Sequence, residues 1–240
     1  HAGILMKNCH NNIVSNNTVT TSGIYLGYFD NGVVSNNIVT DCSLSGIVMT
    51  AVMTEPCYNN TVIGNTVTNC GLYGLIIEGS GNILRNNNLT GNCFNLYVGI
   101  ANDIDTSNTV NGKPVYYLMN QHDLIISPST FPEVGCLALI NSSNITVRNL
   151  TITHNGCGLQ FWYTINSTIE DMYFSHNCHD ILIYAAANCT IKRNVGKIQL
   201  SRSSNIVVTA NTAHDFSVSN SINIVASVNN FSSYNIIRIE

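Results

Sequence analysis

Between residues 11 and 99 the chain repeats one alternation of apolar and polar positions four times. The copies read NNIVSNNTVTTSGIYL, NGVVSNNIVTDCSLSGIVM, NNTVIGNTVTNCGLYGLII and GNILRNNNLTGNCFNLYV. Each holds an apolar pair, an Asn, a β-branched pair, a small-residue turn and a second apolar run. Asn17, Asn37, Asn65 and Asn87 mark equivalent points, 20, 28 and 22 residues apart. Periods of this size signal stacked supersecondary units, each burying its apolar face against its neighbours.

The short β-branched runs Ile13-Val14, Thr18-Val19-Thr20 and Ile24-Tyr25-Leu26 predict strands. The gaps between them are too short for crossover helices, so consecutive strands must turn corners, and like strands stack in parallel about 4.8 Å apart. The expected fold is all-β, a right-handed single-stranded parallel β-helix of about ten rungs. Period-2 alternation puts Ile24, Ile47, Leu75, Leu96, Leu137, Leu159 and Ile181 inward, followed two positions later by Leu26, Met49, Ile77, Val98, Leu139, Phe161 and Ile183. Tyr25, Val48, Ile76, Tyr97, Ala138, Gln160 and Leu182 then face outward, a column apolar enough to predict a contact surface. At each tight corner Asn tolerates left-handed backbone, and stacked amides bond one another. This structural ladder (Asn17, Asn37, Asn65, Asn87) is expected to continue through Asn149, Asp171, Asn194, Asn211 and Asn230.

The repeat persists almost to the end, which favours one domain over 1–240. Regular rungs fill 1–100, with an insertion in the segment MTAVMTEPCY. A loop and hairpin excursion is expected over 101–132, where Asn111-Gly112 and three of the four prolines fall. Rungs resume over 133–240 and narrow after 188. The last residues, NIIRIE, read as an uncapped strand, and uncovered strand edges at both ends favour association. His1 begins inside a repeat, so the chain reads as part of a larger protein.

Composition narrows the function classes. Charged residues are 9% of the chain, against about 25% in ordinary soluble domains, and 37 of 240 residues are Asn. No amphipathic helical pattern of useful length is present. The formal net charge is −4 and the nine basic residues are scattered, which gives no footprint for nucleic acid. No apolar run approaches the roughly 18 residues of a membrane span, and no signal peptide is recognisable.

The phrases NNIVSNNTVT, NNTVIGNTVTNCGLYGL and DTSNTVNGKPVYYL resemble the NosD-like branch of right-handed, pectate-lyase-like β-helix proteins, also called carbohydrate-binding and sugar-hydrolysis (CASH) domains. These are common in large archaeal cell-surface proteins. The resemblance implies the β-helix fold and an exported, extracellular, often glycosylated surface protein. NosD itself is implicated in copper delivery, but no copper motif of that family is matched here.

Several residue groups have candidate chemistry. Cys42, Cys70 and Cys93 fall at one point of the repeat, and Cys136, Cys157 and Cys178 at another. Stacked rungs bring their Cα atoms near 5 Å, within disulfide range, although a ladder of small buried thiols satisfies the same spacing. His154, Cys157, His176, Cys178 and His179 offer imidazole and thiolate on adjacent layers, a donor set for copper or zinc. Ordinary turn positions explain that spacing equally. For sugar cleavage, which needs two carboxylates about 5–9.5 Å apart, the candidates are Glu78, Asp103 and Asp105. Tyr25, Tyr97, Trp162 and Tyr184 are candidates to stack on glycan or pack a partner. Sequons occur at Asn16, Asn59, Asn88, Asn141, Asn144, Asn149, Asn166, Asn188 and Asn230, little above the roughly seven expected by chance.

Three functions follow as expectations. The first is a non-enzymatic structural or adhesive surface protein that associates with itself, or with a neighbouring envelope protein, through the apolar column and open ends. The second is a carbohydrate-binding or carbohydrate-cleaving module. The third is a NosD-like copper-handling protein.

Overall fold

The computed structural model describes residues 2–51 and 56–232. The terminal NIIRIE strand and the middle of the MTAVMTEPCY insertion lie outside those residues. The chain divides into two compact units: His1–Tyr116 with His154–Gly156, and Tyr117–Thr153 with Cys157–Glu240. The described residues form strands, bridges and turns, with no helix.

In the first unit, successive strands alternate among three parallel sheets. One stacks Ala2–His10, Gly23–Asp30, Ile47–Thr50, Tyr73–Ile77 and Phe94–Val98; a second stacks Ile13–Ser15, Val33–Ser35, Thr61–Ile63, Ile83–Arg85 and Asp103–Ile104. The third stacks Thr18–Thr20, Ile38–Thr40, Thr66–Thr68, Asn88–Thr90 and Thr109–Val110. Short strands such as Thr18–Thr20, Ile38–Thr40 and Thr66–Thr68 are wholly β-branched, which suits a pleated, half-buried wall. The second unit repeats the path. Cys136–Ile140, Cys157–Trp162, His179–Tyr184, Ile198–Ser201 and Phe216–Ser219 stack in one sheet. Ile125–Ile126, Thr146–Arg148, Thr168–Glu170, Thr190–Lys192, Ser204–Thr209 and Ile222–Ser227 stack in another. The stacked strands named above pair in parallel, and the hairpin that joins Thr109–Val110 to Lys113–Met119 is antiparallel.

That hairpin turns at Asn111 and Gly112, both at positive φ, the geometry an Asn-Gly pair favours between antiparallel strands. The excursion is shorter than the sequence suggested, because Asp103–Ile104 and Thr109–Val110 still pair in register with the preceding rung.

All fourteen positions assigned inward are buried, from Ile24 and Leu26 to Ile181 and Ile183. The outward column departs from expectation. Val48, Ala138 and Gln160 are also buried, and Tyr25, Ile76, Tyr97 and Leu182 are half-buried, so this strip is not an open apolar surface.

The asparagine ladder is continuous in the first unit. Asn37 donates from its backbone N and Nδ2 to Asn65 Oδ1, at 3.0 and 2.9 Å, and Asn17 bonds Asn37 the same way. The series runs on through Asn87 to Asn108. A second ladder, unnoticed in the sequence, joins Asn60, Asn82 and Asn102 at another corner. Its signal is an Asn just before three successive strands of the second sheet, 22 and 20 residues apart. In the second unit the corner is held by Leu150 and Met172 before Asn194, Asn211 and Asn229 take over. Asn149 and Asp171 sit one position earlier, at the left-handed corner itself with side chains outside. Asn230 is one position late, in the following strand. The ladder assignments for these three residues are corrected accordingly.

From Ile181 onward the register shortens to 17 residues, and from Ile198 it is 18. The coil of the second unit narrows there.

Candidate functional site

The most chemically distinctive surface of the second unit is built by the parallel pairing of Cys157–Trp162 with His179–Tyr184. That register sets Trp162 directly beside Tyr184. Period-2 alternation from the buried Phe161 and Ile183 turns both rings outward. Their centroids lie 4.7 Å apart with planes tilted by 35°. Tyr163, the next residue, is at a left-handed corner (φ 54°) and is thereby turned edge-on to Tyr184, at 6.0 Å and 81°. The Arg202 guanidinium stands 5.5 Å from the Tyr184 ring centroid, in cation–π range. Trp162 Nε1 is buried without a hydrogen-bond partner among the described residues, a donor that ordinarily finds one when buried.

The other aromatic candidates lie elsewhere. Tyr97 packs edge-on against Tyr73, which tilts against Phe94, in the first unit. Tyr25 is half-buried in the same sheet.

The carboxylate candidates are occupied by local structure. Glu78 accepts hydrogen bonds from the Thr50 hydroxyl and from Ala51 N. Asp103 and Asp105 both pair with Arg85, at 2.6 and 3.2 Å, and Asp105 also accepts from Ser107. Glu170 and Asp171 form an exposed network with Lys192 and Arg193. Arg193 holds the Asp171 carboxyl below its ordinary range, chiefly by direct hydrogen bonds.

All nine cysteines are free thiols. Burial pushes Cys70, Cys136 and Cys157 up to about 12, and Cys189 up to about 11. Groups so reluctant to ionise are poor nucleophiles. The columns read from sequence are also staggered. Thr40, Thr68 and Thr90 are in register, so Cys42 and Cys70 stack with Asn92, while Cys93 is one residue on and exposed. Cys157 likewise pairs with His179, not Cys178.

The proposed metal donors are not brought together. His154 belongs to the first unit, where its carbonyl accepts from the Asn95 backbone and side chain. In the second unit His179 Nδ1 faces Gln199 Oε1. Among the described residues no three His, Cys, Asp or Glu side chains are grouped to hold a metal ion.

The sequons have a structural origin. Asn16, Asn59, Asn141, Asn144, Asn149, Asn166 and Asn188 all occupy left-handed corners. At such a corner the first residue favours Asn, the second turns inward, and the third opens an exposed or half-buried strand position that favours Thr. The corner therefore writes N-x-T by itself. Asn88 and Asn230 instead begin strands.

A family model described as the right-handed β-helix region matches residues 1–131. No curated protein matches the chain. Among solved structures, the chain is similar to XylC in complex with xylose, at 11% identity and a TM-score of 0.33, over 85% of this chain and 36% of that one. It thus spans about a third of the XylC chain. A double mutant of the periplasmic alginate epimerase AlgG matches at 10% identity and a TM-score of 0.33, over 96% and 70%. A putative glycosyl hydrolase from Parabacteroides merdae matches at 9% identity and a TM-score of 0.25, over 74% and 83%.

Proposed function

We propose, from the premise that this chain belongs to the right-handed β-helix family, that it is a non-catalytic adhesive wall at the cell surface whose platform at Trp162 and Tyr184 holds carbohydrate. One observation carries the reading: two outward rings paired at 4.7 Å and flanked by Tyr163 and Arg202. Flat aromatic faces bury the apolar C–H faces of sugars, and polar groups at the rim fix orientation. The engagement of Glu78, Asp103 and Asp105 with their neighbours favours binding over cleavage.

Trp162 is the single tryptophan, so its fluorescence reports the platform alone. Titration with a panel of oligosaccharides is expected to shift its emission saturably. Tyr184→Ala should weaken the affinity about tenfold, the loss of one stacked ring. A panel that leaves the emission unmoved, or a Tyr184→Ala variant that binds unchanged, would overturn the reading.

A second reading, self-association, is favoured by the strand Ile222–Ser227, where Ile222 and Val225 are 66% and 56% exposed. An exposed apolar strand is a template for pairing. Sedimentation tests it: Val225→Lys should lower any concentration-dependent association, and a monomer at every concentration removes the idea.

A further inference from the structure

We infer that the corner where the second unit's coil shortens is a binding site for an oxyanion, a carboxylate, sulfate or phosphate group carried on a small polar molecule. The site is separate from the aromatic platform and stands whether or not that platform binds sugar.

The register creates the space. Tyr173 bridges to Val195, twenty-two residues on, whereas Ile181 pairs with Ile198, seventeen on. Five residues are therefore missing from the corner between Val195 and Ile198. The preceding rung turns that corner through Phe174–Asp180, while this one crosses with Gly196 and Lys197 alone. The following rung, bridged at Thr212, turns through His214. A short rung between two longer ones leaves a cleft of about 590 Å³, large enough for a small organic ligand and not merely a water.

Gly196 keeps its floor open. Its φ is +146°, and a Cβ there would stand 2.9 Å from Phe174 Cβ and 3.1 Å from Asp180. No other residue type fits that backbone without displacing the wall.

The lining sets the ligand's charge. Lys197, His176 and His214 border the cleft, and Lys197 forms no ion pair among the described residues. The one carboxylate in the lining, Asp180, is 6% exposed. Its Oδ1 accepts from Asn177 Nδ2 at 2.9 Å and its Oδ2 from the Lys197 backbone N at 2.7 Å. Both of its oxygens are thus engaged by donors of the wall. Ser232 Oγ lies 2.9 Å from His214 Nδ1, so this imidazole is oriented before any ligand arrives. An ammonium outside any ion pair among the described residues, with imidazole and hydroxyl groups at the rim, forms the donor set that charge-assisted bonds to an oxyanion require.

The test is calorimetric titration of the full chain at low salt with four probes: glucuronate, glucose 6-sulfate, glucose 6-phosphate and neutral glucose. Saturable binding of at least one charged probe, with none of glucose, is expected, and the tightest of the three names the oxyanion's carrier. Lys197→Gln should weaken that binding about tenfold, the worth of one charge-assisted contact. Lys197→Arg should retain most of it, while Lys113→Gln, on the exposed hairpin of the first unit, should leave it unchanged. Lys197→Gln keeps the backbone bond to Asp180, and an unchanged melting temperature for it shows that the variant remains folded. The inference is overturned if glucose binds as well as the charged probes, if no probe binds, or if Lys197→Gln and Lys113→Gln titrate alike.

Discussion

The same corner is closed by opposite chemistry in the two units. In the first, Asn37, Asn65 and Asn87 saturate it with hydrogen bonds. Asn65 Oδ1 accepts twice from Asn37, and Asn65 Nδ2 donates to Asn87 Oδ1 and to Val34 O, all at 2.8–3.0 Å. In the second unit, Leu150 and Met172 fill the equivalent place with buried apolar volume, and hydrogen bonding begins at Asn194. What the two versions share is the residue just before, held at positive φ: Asn16, Asn36, Gly64 and Asn86 in one, Asn149, Asp171, Arg193, Ala210 and Val228 in the other. The corner is therefore a backbone requirement. Asparagine meets it most comfortably, and a stack of neighbours enforces it even on a β-branched residue.

Substitutions can break this comparison, and the largest effect belongs to the saturated version. Asn65→Ala strands the buried Asn37 amide groups and the Val34 carbonyl, and at about 1–3 kcal/mol for each unpaired group the loss should be roughly 4–6 kcal/mol by urea denaturation. The apolar version should be far more forgiving: Met172→Leu is expected to cost less than about 1.5 kcal/mol. Similar losses from the two would show that the ladder is incidental to the corner.

Alkali should come next in size. Cys70, Cys136 and Cys157 keep their protons to about 12 when folded, against an ordinary 9.0. The unfolded chain then binds fewer protons than the folded one between those values, so stability is full below pH 9 and declines as pH rises toward 12. Denaturation midpoints across that range check it. Neutral thiol titration should find exposed Cys93 reacting first, with Cys136 and Cys157 silent until unfolding.

Relief of corner strain is smaller and opposite in sign. Val228 lies at φ 56°, and Val228→Gly should stabilise the protein by about 1 kcal/mol, less the extra freedom of the unfolded chain. A thermal melt that moves down would count against strain there. The least effect is expected from the exposed Asp171–Arg193 pair. Because Arg193 holds the Asp171 carboxyl below its ordinary 3.8, its contribution is present above that value and fades as pH falls. Asp171→Asn should change stability barely at neutral pH, and not at all in high salt.

Much of the fold was legible because a parallel coil writes its own period. Inward residues such as Ile47, Leu75 and Leu159 were readable from alternation alone, and Asn111-Gly112 announced its hairpin. The corners were less readable. Asn149 and Asp171 carry the residue type of the ladder but sit one place early, since the left-handed position and the inward position both favour asparagine. A one-residue ambiguity in a two-residue corner exchanges inside for outside. Cys93 and Cys178 were misaligned for the same reason.

Trp162 and Tyr184 stand in the sequence as candidates to stack on glycan or pack a partner, yet their pairing with Tyr163 and Arg202 depended on register across two rungs. The cleft at Lys197 was not visible at all in one dimension. A shortened period after residue 188 was plain in the spacing, but not which corner lost the residues.

The amino-acid sequence by itself determined the coil, its lumen and the requirement for left-handed corners, because those follow from local alternation repeated at a near-constant interval. Tertiary structure alone decided which side chains from different rungs stand together. Neighbours across a parallel stack are some twenty residues apart in the chain, and an insertion or deletion of one residue at a corner changes who they are.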